Sequence, residues 1–378
     1  MTRGLQGDPS PVDRFAIVAN GFSDGPAEAL RDFLVASGAG VTVVSHPLVP
    51  EGGRSHRIRE YEAGALVRAR EVSLPVGPPW SFAVDPLVPL RMPAVDVCFG
   101  FNCIACARGL VARRRGRARS VVYWCVDFVT ERFGNGLRTR LYEGLDRLCA
   151  ERADLRVELS EAARDARDAR NRLDGKAAPV EIVPMGAWLD RAPHVASDGW
   201  RRKHVVFLGH LVRRQGVHVL LDAIALLRRS GVDVTATVIG GGPEEASLRT
   251  VALSQGIGDA VRFTGFVPSH CDVESLLATG SVGVAPYEPT PDSLTRQADP
   301  GKLKAYLAAG LPVVLTDVPP NARALAAHAG AEIVPFGAPA LAASIERLLR
   351  DPGEWTRRHD AALEYARAFD WPRLLAPV

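Results

Sequence analysis

The sequence predicts an α/β protein with two doubly wound domains, and two observations lead to that prediction. Short apolar runs alternate with amphipathic stretches, which is typical of parallel strands joined by crossover helices. This rhythm stops once, at residues 185–203, where Pro, Gly and charged residues follow no clear period and indicate a linker. A chain of 378 residues is long enough for two domains of ordinary size.

The first half contains five apolar runs that we expect to be buried strands, at 15–19, 41–45, 95–99, 121–125 and 155–159. Amphipathic stretches such as 27–36 and 137–149 lie between them and predict helices. Residues 51–94 contain many Gly and Pro and predict loops or irregular strands. Together these elements indicate a Rossmann-like domain over residues 1–188.

The second half repeats the rhythm more cleanly. Strands are predicted at 204–208, 234–239, 261–264, 282–285, 313–316 and 333–334, and helices at 216–229 and 244–255 among others. We therefore expect a second Rossmann-like domain over residues 189–355, facing the first across a cleft. A last helical segment occupies residues 356–378.

Composition restricts the class of protein. With 47% hydrophobic and 24% charged residues the chain is globular, and no apolar run reaches the roughly 18 residues that span a bilayer. The polar N-terminus does not look like a secretory signal, so we expect a cytoplasmic protein. A net charge of +3 does not indicate nucleic acid. The run RRRGRAR at 113–119 is either a solvated turn or a peripheral contact with anionic lipid headgroups.

Three of the six cysteines, Cys98, Cys103 and Cys106, are close together in sequence. Their spacing lacks the paired form of zinc modules, and they fall in an apolar strand and helix. We therefore predict buried free thiols and no metal site.

Residues 299–316, DPGKLKAYLAAGLPVVLT, carry the clearest sign of a ligand. Asp-Pro-Gly marks a loop, a helix follows from about Lys302, and Gly310 ends it before a buried strand. The start of a helix binds anions because its first backbone N–H groups are unpaired. Three more Gly-containing loops follow strands: GHLVRRQG from 209, GGGPEE from 240 and GFVPS from 265. The order of all four indicates a phosphate-bearing ligand.

These motifs resemble those of the retaining GT-B glycosyltransferases of family 4. GHLVRRQGV is similar to that family's G-R-L-x-x-x-K-G loop, VIGGGPEEASLR to its V-G-x-G-P…L loop, VRFTGFV to its V-x-F-x-G-x-V strand, and KLKAYLAAGLPVV to its helix and G-x-P-V-V element. The resemblance covers about 204–350 well and the first half more loosely, through FSDGPAEAL and YWCVDF.

The resemblance implies a GT-B fold whose C-terminal helix crosses back to the first domain. It implies a hexosyltransferase-type enzyme that moves a sugar from a nucleotide diphosphate sugar to an acceptor, with retention and without a metal or other cofactor. The acceptor stays open between a lipid-linked glycan, a polysaccharide and a small metabolite.

The resemblance also implies the donor-binding residues. The diphosphate is expected to face residues 210–215, in the loop after the first strand of the second half (the first loop), and the helix start at 301–302. The base is expected to rest on residues 265–268. Arg213 and Arg214 either reach the cleft or point to solvent. The predicted substrate-binding set in the second half is His210, Arg213, Arg214, Gln215, Gly241, Gly242, Phe266, Val267, Tyr287, Gln297, Asp299, Gly301 and Lys302.

Two departures make the chain atypical. Gln215 stands where the family has a lysine, and Gln297 and Ala305 occupy the positions of its two donor-site glutamates. Asp299 and Lys302 offer replacement charges, although Asp299 can also be a helix cap and Lys302 a solvated first-turn residue.

In the first half, Asp127 and Asn102 are the catalytic candidates. Asp127 either orients an acceptor hydroxyl, caps a turn or pairs with a neighbouring arginine. Asn102 lies where the family often has a histidine, and a helix cap is an equal alternative. Gly25 either lets the backbone approach the donor or makes a tight turn, and His46 is interpreted as structural.

Two other functions stay open. A non-catalytic sugar-nucleotide binder, such as a partner subunit, would explain the missing glutamates. A sugar-nucleotide epimerase shares the architecture but needs acid and base carboxylates, of which the sequence offers few.

Overall fold

A computed structural model describes residues 13–21, 25–47, 54–78, 80–83, 85, 93–126, 136–173, 175–291 and 293–377. The chain divides into two compact units, Met1–Val183 and Pro184–Val378. The division lies close to the predicted end of the first domain at residue 188.

The first unit contains an eight-stranded sheet in the order β4-β3-β2-β1-β5-β6-β7-β8. Its strands are β1 Arg14–Asn20, β2 Gly40–His46, β3 Ser55–Glu62, β4 Ala65–Ser73, β5 Val95–Phe101, β6 Ala118–Cys125, β7 Leu155–Glu158 and β8 Val180–Ile182. β3 pairs antiparallel with β2 and β4, and the other pairs are parallel. The sheet edge therefore carries a hairpin whose register shifts between Glu60 and Tyr61, in part of the region where the sequence indicated loops or irregular strands. β4 buries neither face, so its sequence shows no apolar alternation.

Helices of the first unit are α1 Pro26–Ala36, α2 Cys103–Arg114, α3 Leu137–Arg152 and α4 Glu161–Asn171. α2 packs on β5 and β6 so closely that a Cβ at Gly100 would lie 2.3 Å from the Cα of Cys106. Cys98, Cys103 and Cys106 are buried free thiols, as predicted. Burial raises the pKa of the Cys98 thiol to about 12, which keeps it inert at neutral pH.

The second unit contains a fully parallel six-stranded sheet in the order β11-β10-β9-β12-β13-β14. Its strands are β9 His204–Leu208, β10 Thr235–Ile239, β11 Val261–Gly265, β12 Val282–Ala285, β13 Val313–Leu315 and β14 Glu332–Ile333. The strand order reverses between β9 and β12. The loops that follow these two strands therefore lie side by side at the carboxyl end of the sheet, where doubly wound folds bind ligands.

Both faces of this sheet are covered by helices. They are α5 Val217–Arg229, α6 Glu245–Ser254, α7 His270–Leu277, α8 Gly301–Ala308, α9 Ala322–His328, α10 Ala338–Arg350, α11 Pro352–Ala366 and α12 Trp371–Leu375. β9 contributes Val205 and Phe207 to one apolar cluster, with α5 and α10, and Val206 to the other, with α8 and α11. Burial on two faces explains why these strands are apolar throughout.

The predicted linker is bonded into the second unit. Ala187 N donates to Phe369 O at 2.9 Å, Trp371 N donates to Ala187 O at 3.0 Å, and Val195 N donates to Ala309 O at 2.8 Å. α11 packs on α8 within the same unit. The return of the terminal helix to the first domain stays a prediction. No helix in the described part of the chain is long and apolar enough to cross a membrane.

Candidate functional site

The candidate site lies at the carboxyl end of the second unit's sheet, where α8 begins beside the loops after β9 and β12. α8 places Lys302 in its first turn, and Lys302 Nζ lies 2.6 Å from Gln215 Oε1. The ammonium also lies 4.2 Å from the ring centroid of Phe207 and 4.9 Å from that of Tyr287. Lys302 is therefore directed onto the first loop and the adjacent rings.

Gly209 makes this approach possible. Its φ is +147°, and a Cβ added there would lie 2.7 Å from Lys302 Nζ. Any larger residue would displace the ammonium or strain the backbone.

Within the described residues the Lys302 ammonium has no counter-charge nearby. Among the described residues no carboxylate lies within 4.0 Å of it, and desolvation alone lowers its pKa to about 7. A bound anion would favour the charged form and raise that pKa again. The arrangement therefore suits an anionic ligand.

The first loop holds the other predicted cations away from the interior. Arg213–Gln215 form a short 3-10 helix that leads into α5 through Gly216. His210, Arg213 and Arg214 are exposed, and Gln215 is half-buried. Glu288 N donates to Arg214 O at 3.0 Å, which ties this loop to the one after β12. Donor contacts by the two arginines stay a prediction.

The glycine-rich second loop packs on the first loop. Leu211 N donates to Gly241 O at 2.9 Å, and Glu244 N donates to Leu211 O at 3.1 Å. A Cβ at Gly242 would lie 2.5 Å from Leu211 O. These glycines let the backbones of the two loops pack closely against each other. The close approach of Gly241 and Gly242 to a ligand stays a prediction.

The predicted base-binding segment offers an exposed ring. Phe266 is 73% exposed, and Val267 packs partly against the core. Tyr287 is buried beneath Lys302, and its main-chain oxygen accepts from Thr316 Oγ1 at 2.7 Å. Its hydroxyl has no partner within the described part of the chain, and burial raises its pKa.

Asp299 is engaged inside the unit. Its Oδ2 accepts from Met185 N at 2.7 Å, and its Oδ1 accepts from Asn321 Nδ2 at 2.9 Å and from the buried Lys304 ammonium. Pro300 precedes α8 and no side chain caps the helix, so the cap interpretation of Asp299 is wrong. Lys304 was not identified from the sequence as the partner of Asp299. The one sequence feature that could have indicated this contact is that Lys304 follows Asp299 by five residues.

The remaining predicted donor-site positions, Gln297, Ala305 and Gly301, lie on either side of Asp299 in sequence. Gln297 is half-buried and follows a 3-10 helix at Leu294–Arg296, and Ala305 packs against the core. A Cβ at Gly301 would lie 3.1 Å from the Met185 side chain. Substrate contacts by these residues stay predictions.

In the first unit, Asn102 caps α2. Its Oδ1 accepts from Ala105 N at 3.0 Å, and its Nδ2 donates to Asn20 Oδ1 at 3.1 Å, from a backbone with φ +90°. The cap alternative is therefore realised, and a catalytic role stays a prediction. Gly25 precedes α1 in extended backbone, and a Cβ added there would lie 4.0 Å from Glu28 Oε2. Asp127 lies outside the described residues.

A second polar group is buried in the first unit. His46 and His56 place their Nδ1 atoms 2.6 Å apart, and Asp85 lies beside them. Burial lowers the pKa of His46 to about 3, lowers that of His56, and raises that of Asp85 to about 7. Both imidazoles are therefore neutral at physiological pH.

The chain is similar to known proteins in part of its sequence and in its fold. Residues 202–351 match the family described as glycosyl transferases group 1. The putative colanic acid biosynthesis glycosyltransferase WcaL of Escherichia coli K12 is 31% identical over 138 residues, 36% of this chain and 34% of that protein. The chain thus spans about a third of the length of this curated relative.

Similarity of structure extends over the whole chain. Sucrose-phosphate synthase from Thermosynechococcus elongatus has a TM-score of 0.69 at 17% identity, over 97% of both chains. HepE of Anabaena, solved in complex with UDP, has a TM-score of 0.66 at 17% identity, over 97% of this chain and 98% of that one. The predicted fold class, GT-B with two Rossmann-like domains, is confirmed.

Proposed function

We propose that this chain, a GT-B protein of the glycosyl transferases group 1 family, is a glycosyltransferase. It moves a sugar from a nucleotide diphosphate sugar to an acceptor, with retention and without a metal ion. The observation that carries the proposal is the Lys302 ammonium, which lies on two rings and Gln215 without a carboxylate in reach among the described residues.

The chemistry needs positive charge beside the leaving group. As the glycosidic bond breaks, the nucleoside diphosphate gains negative charge while the sugar becomes oxocarbenium-like. Lys302 supplies a positive charge beside the first loop, and the amino ends of α5 and α8, which no described side chain caps, carry the positive end of each helix dipole. Such preorganised groups stabilise the transition state more than the ground state because the charge develops only there.

Lys302 replaces the lysine that the family resemblance expects in the first loop. Gln215 stands at that loop position, and its Oε1 accepts a hydrogen bond from Lys302 Nζ at 2.6 Å. The cation thus reaches nearly the same point in space from α8. The substitution of Gln for Lys is therefore compensated and does not indicate a lost donor site.

The donor is a nucleoside diphosphate sugar whose base rests near the exposed Phe266. HepE, similar in fold, was solved with UDP, which supports a uridine nucleotide as the first candidate. Ala305 offers no acceptor for ribose hydroxyls. We therefore expect the ribose to be held by main-chain groups, at a cost in affinity.

The test is calorimetry of the full chain with UDP, GDP and ADP, followed by the matching sugar nucleotides, with release of nucleoside diphosphate as the measure of turnover. We expect saturable binding of one nucleotide and slow donor hydrolysis without acceptor. Lys302→Ala should strongly reduce the nucleotide-induced thermal shift at a nucleotide concentration near 100 times the wild-type dissociation constant. Lys203→Ala, which removes an exposed lysine of the same unit, serves as the control.

Three outcomes contradict the proposal. If none of the nucleotides binds, the result counts against both the transferase and the non-catalytic binder. Binding without transfer or hydrolysis favours the binder. A changed donor sugar recovered without acceptor indicates an epimerase.

An acceptor at a membrane surface, such as a lipid-linked glycan, suits the first unit. Leu137, Leu141 and Leu148 are 72%, 65% and 40% exposed along one side of α3, which packs on α2. Arg114 and Arg115 at the end of α2 are exposed, although Arg113 and Arg119 of the same run pair with Asp154 and Asp96. Exposed leucines on α3, and arginines at the end of α2 that have no acidic partner among the described residues, are the two features of this unit that fit an anionic bilayer.

Co-sedimentation with vesicles tests this surface. We expect binding to vesicles with anionic lipid, weaker binding after Leu137→Ser with Leu141→Ser, and little binding to neutral vesicles. Leu253→Ser, at an exposed leucine of the second unit, is the matched control. Equal partition of all variants would argue for a polysaccharide or a small metabolite as acceptor.

A further inference from the structure

Three side chains converge in the interior of the first unit, away from the donor-binding loops. His46 is the last residue of β2, His56 lies on the adjacent antiparallel strand β3, and Asp85 follows a short 3-10 helix at Trp80–Ala83. All three are essentially inaccessible to solvent. The group could not be predicted from the sequence, because its members are ten and twenty-nine residues apart in a region of irregular pattern.

Their ligand atoms face one another. His46 Nδ1 and His56 Nδ1 are 2.6 Å apart, and Asp85 Oδ1 lies 3.7 Å from the first and 3.9 Å from the second. Ligands around a tetrahedral zinc ion, with bonds of about 2.0–2.1 Å, are about 3.3 Å apart. The distance between the two nitrogens is shorter than that value, and the two nitrogen–oxygen distances are longer. A small shift of one imidazole would therefore accommodate the ion.

The polar atoms of this group are poorly satisfied by protein. The Nε2 atoms of both histidines and both carboxylate oxygens of Asp85 are buried without a hydrogen-bond partner among the residues that the structure describes. In the hydrogen bond between the two Nδ1 atoms one nitrogen donates its proton and the other accepts it, so a metal ion bound by both nitrogens would displace that proton. Buried polar groups left without partners are rare and often mark an ion or ordered water.

We propose that His46, His56 and Asp85 bind a divalent transition metal ion, with Zn²⁺ the best fit to two imidazole nitrogens and one carboxylate oxygen. The ion joins β2, β3 and the segment that contains Asp85, so its role is structural. It takes no part in sugar transfer and is independent of the function proposed above.

Arg108 is the cation nearest to the group. Its Nη1 donates to the main-chain oxygen of Asp85 at 3.1 Å and not to the carboxylate. The guanidinium charge opposes a second cation, so we expect weaker binding than in four-ligand structural zinc sites. The carboxylate remains available to the metal.

The test is titration of the purified full chain, stripped of metal, with Zn²⁺ by calorimetry and with Co²⁺ by visible absorption. We expect one equivalent of Zn²⁺ to bind and Co²⁺ to give the intense visible band of a tetrahedral site. His56→Gln and Asp85→Asn should each weaken Zn²⁺ binding at least tenfold. His204→Gln, at a half-buried strand histidine bonded to Thr235 and Thr237, should leave it unchanged.

Two results would overturn the assignment. One is no saturable Zn²⁺ binding by the wild-type chain, and the other is equal binding by His56→Gln, Asp85→Asn and wild type. If the variants fold poorly, the wild-type Co²⁺ spectrum still decides, because thiolate ligands give strong charge-transfer absorption that nitrogen and oxygen ligands do not. Nucleotide affinity should not change with Zn²⁺, which separates this test from that of the donor site.

Discussion

At the carboxyl end of the second unit's sheet, the Lys302 ammonium has no carboxylate in salt-bridge range within the described residues. At the same end of the first unit's sheet, two imidazoles and a carboxylate are buried together. Both groups lie at the carboxyl end of the parallel strands of their sheet, so their position in the sheet does not explain this difference. It is decided by which side chains the following segments bring in. The first arrangement suits an anion and the second a cation.

The same contrast exists within α8. Lys302 and Lys304 are two residues apart, yet Lys304 is buried against Asp299 whereas Lys302 lies on Gln215. A paired lysine is expected to matter for stability and an unpaired one for binding. The predictions below test that division of roles, from the largest expected effect to the smallest.

Asp299→Ala should give the largest loss of stability, because it leaves the Lys304 ammonium buried without a partner. Breaking a buried pair costs about 3–5 kcal/mol. The measurement is urea unfolding of the full chain. Asp317→Ala, which removes the exposed pair with Arg323 at 3.0 Å, is the control and should cost less than about 1 kcal/mol. Similar losses in both variants would show that the Asp299 pair is not special.

Moving the cation back to the first loop should recover binding. Lys302→Ala is expected to cost about 1.5–3 kcal/mol of nucleoside diphosphate affinity, the value of a charge-assisted hydrogen bond. Gln215→Lys in that background places an ammonium from the position whose Oε1 now lies 2.6 Å from Lys302 Nζ. We expect calorimetry to show recovery of about tenfold. No recovery would mean that Lys302 acts elsewhere than on the diphosphate.

Nucleotide binding should weaken as the pH rises. Burial lowers the pKa of Lys302 to about 7, so the ammonium is charged below that pH and increasingly neutral above it. The bound anion raises this pKa, so affinity should fall between pH 7 and 9 by at most about tenfold per unit. Lys302→Arg should bind with little pH dependence over this range, since guanidinium stays charged. A flat profile for wild type would contradict an unpaired lysine.

Substitution of Asn102 should have the smallest effect on stability of the changes considered, and it tests whether this residue is a helix cap or a catalytic group. Its φ of +90° suits glycine, so Asn102→Gly should lose only a few tenths of a kcal/mol, whereas Asn102→Ala should lose about 1 kcal/mol or more. Thermal unfolding and donor turnover measured on both variants decide between the two roles. Full activity in the glycine variant would leave Asn102 only as a cap.

Much of the fold followed from the sequence because buried parallel strands are apolar throughout. β9 and β12 have the predicted bounds, and α5 begins one residue after its predicted start. The β3–β4 hairpin was not predicted from the sequence, because both faces of β4 are largely exposed and such a strand carries no apolar period. The glycines after β10 were recognised, yet sequence could not tell that their close neighbour is the first loop.

By itself the sequence determined the two-domain α/β architecture, the four Gly-containing loops and the absence of the family glutamates, since all of these depend on local residue order. Only the tertiary structure decided that Lys302 meets Gln215, that Asp299 holds Lys304, and that His46, His56 and Asp85 converge. All but the Asp299–Lys304 contact join residues from separate elements. Their distances are set by sheet order, helix packing and close backbone approach, which no local pattern encodes.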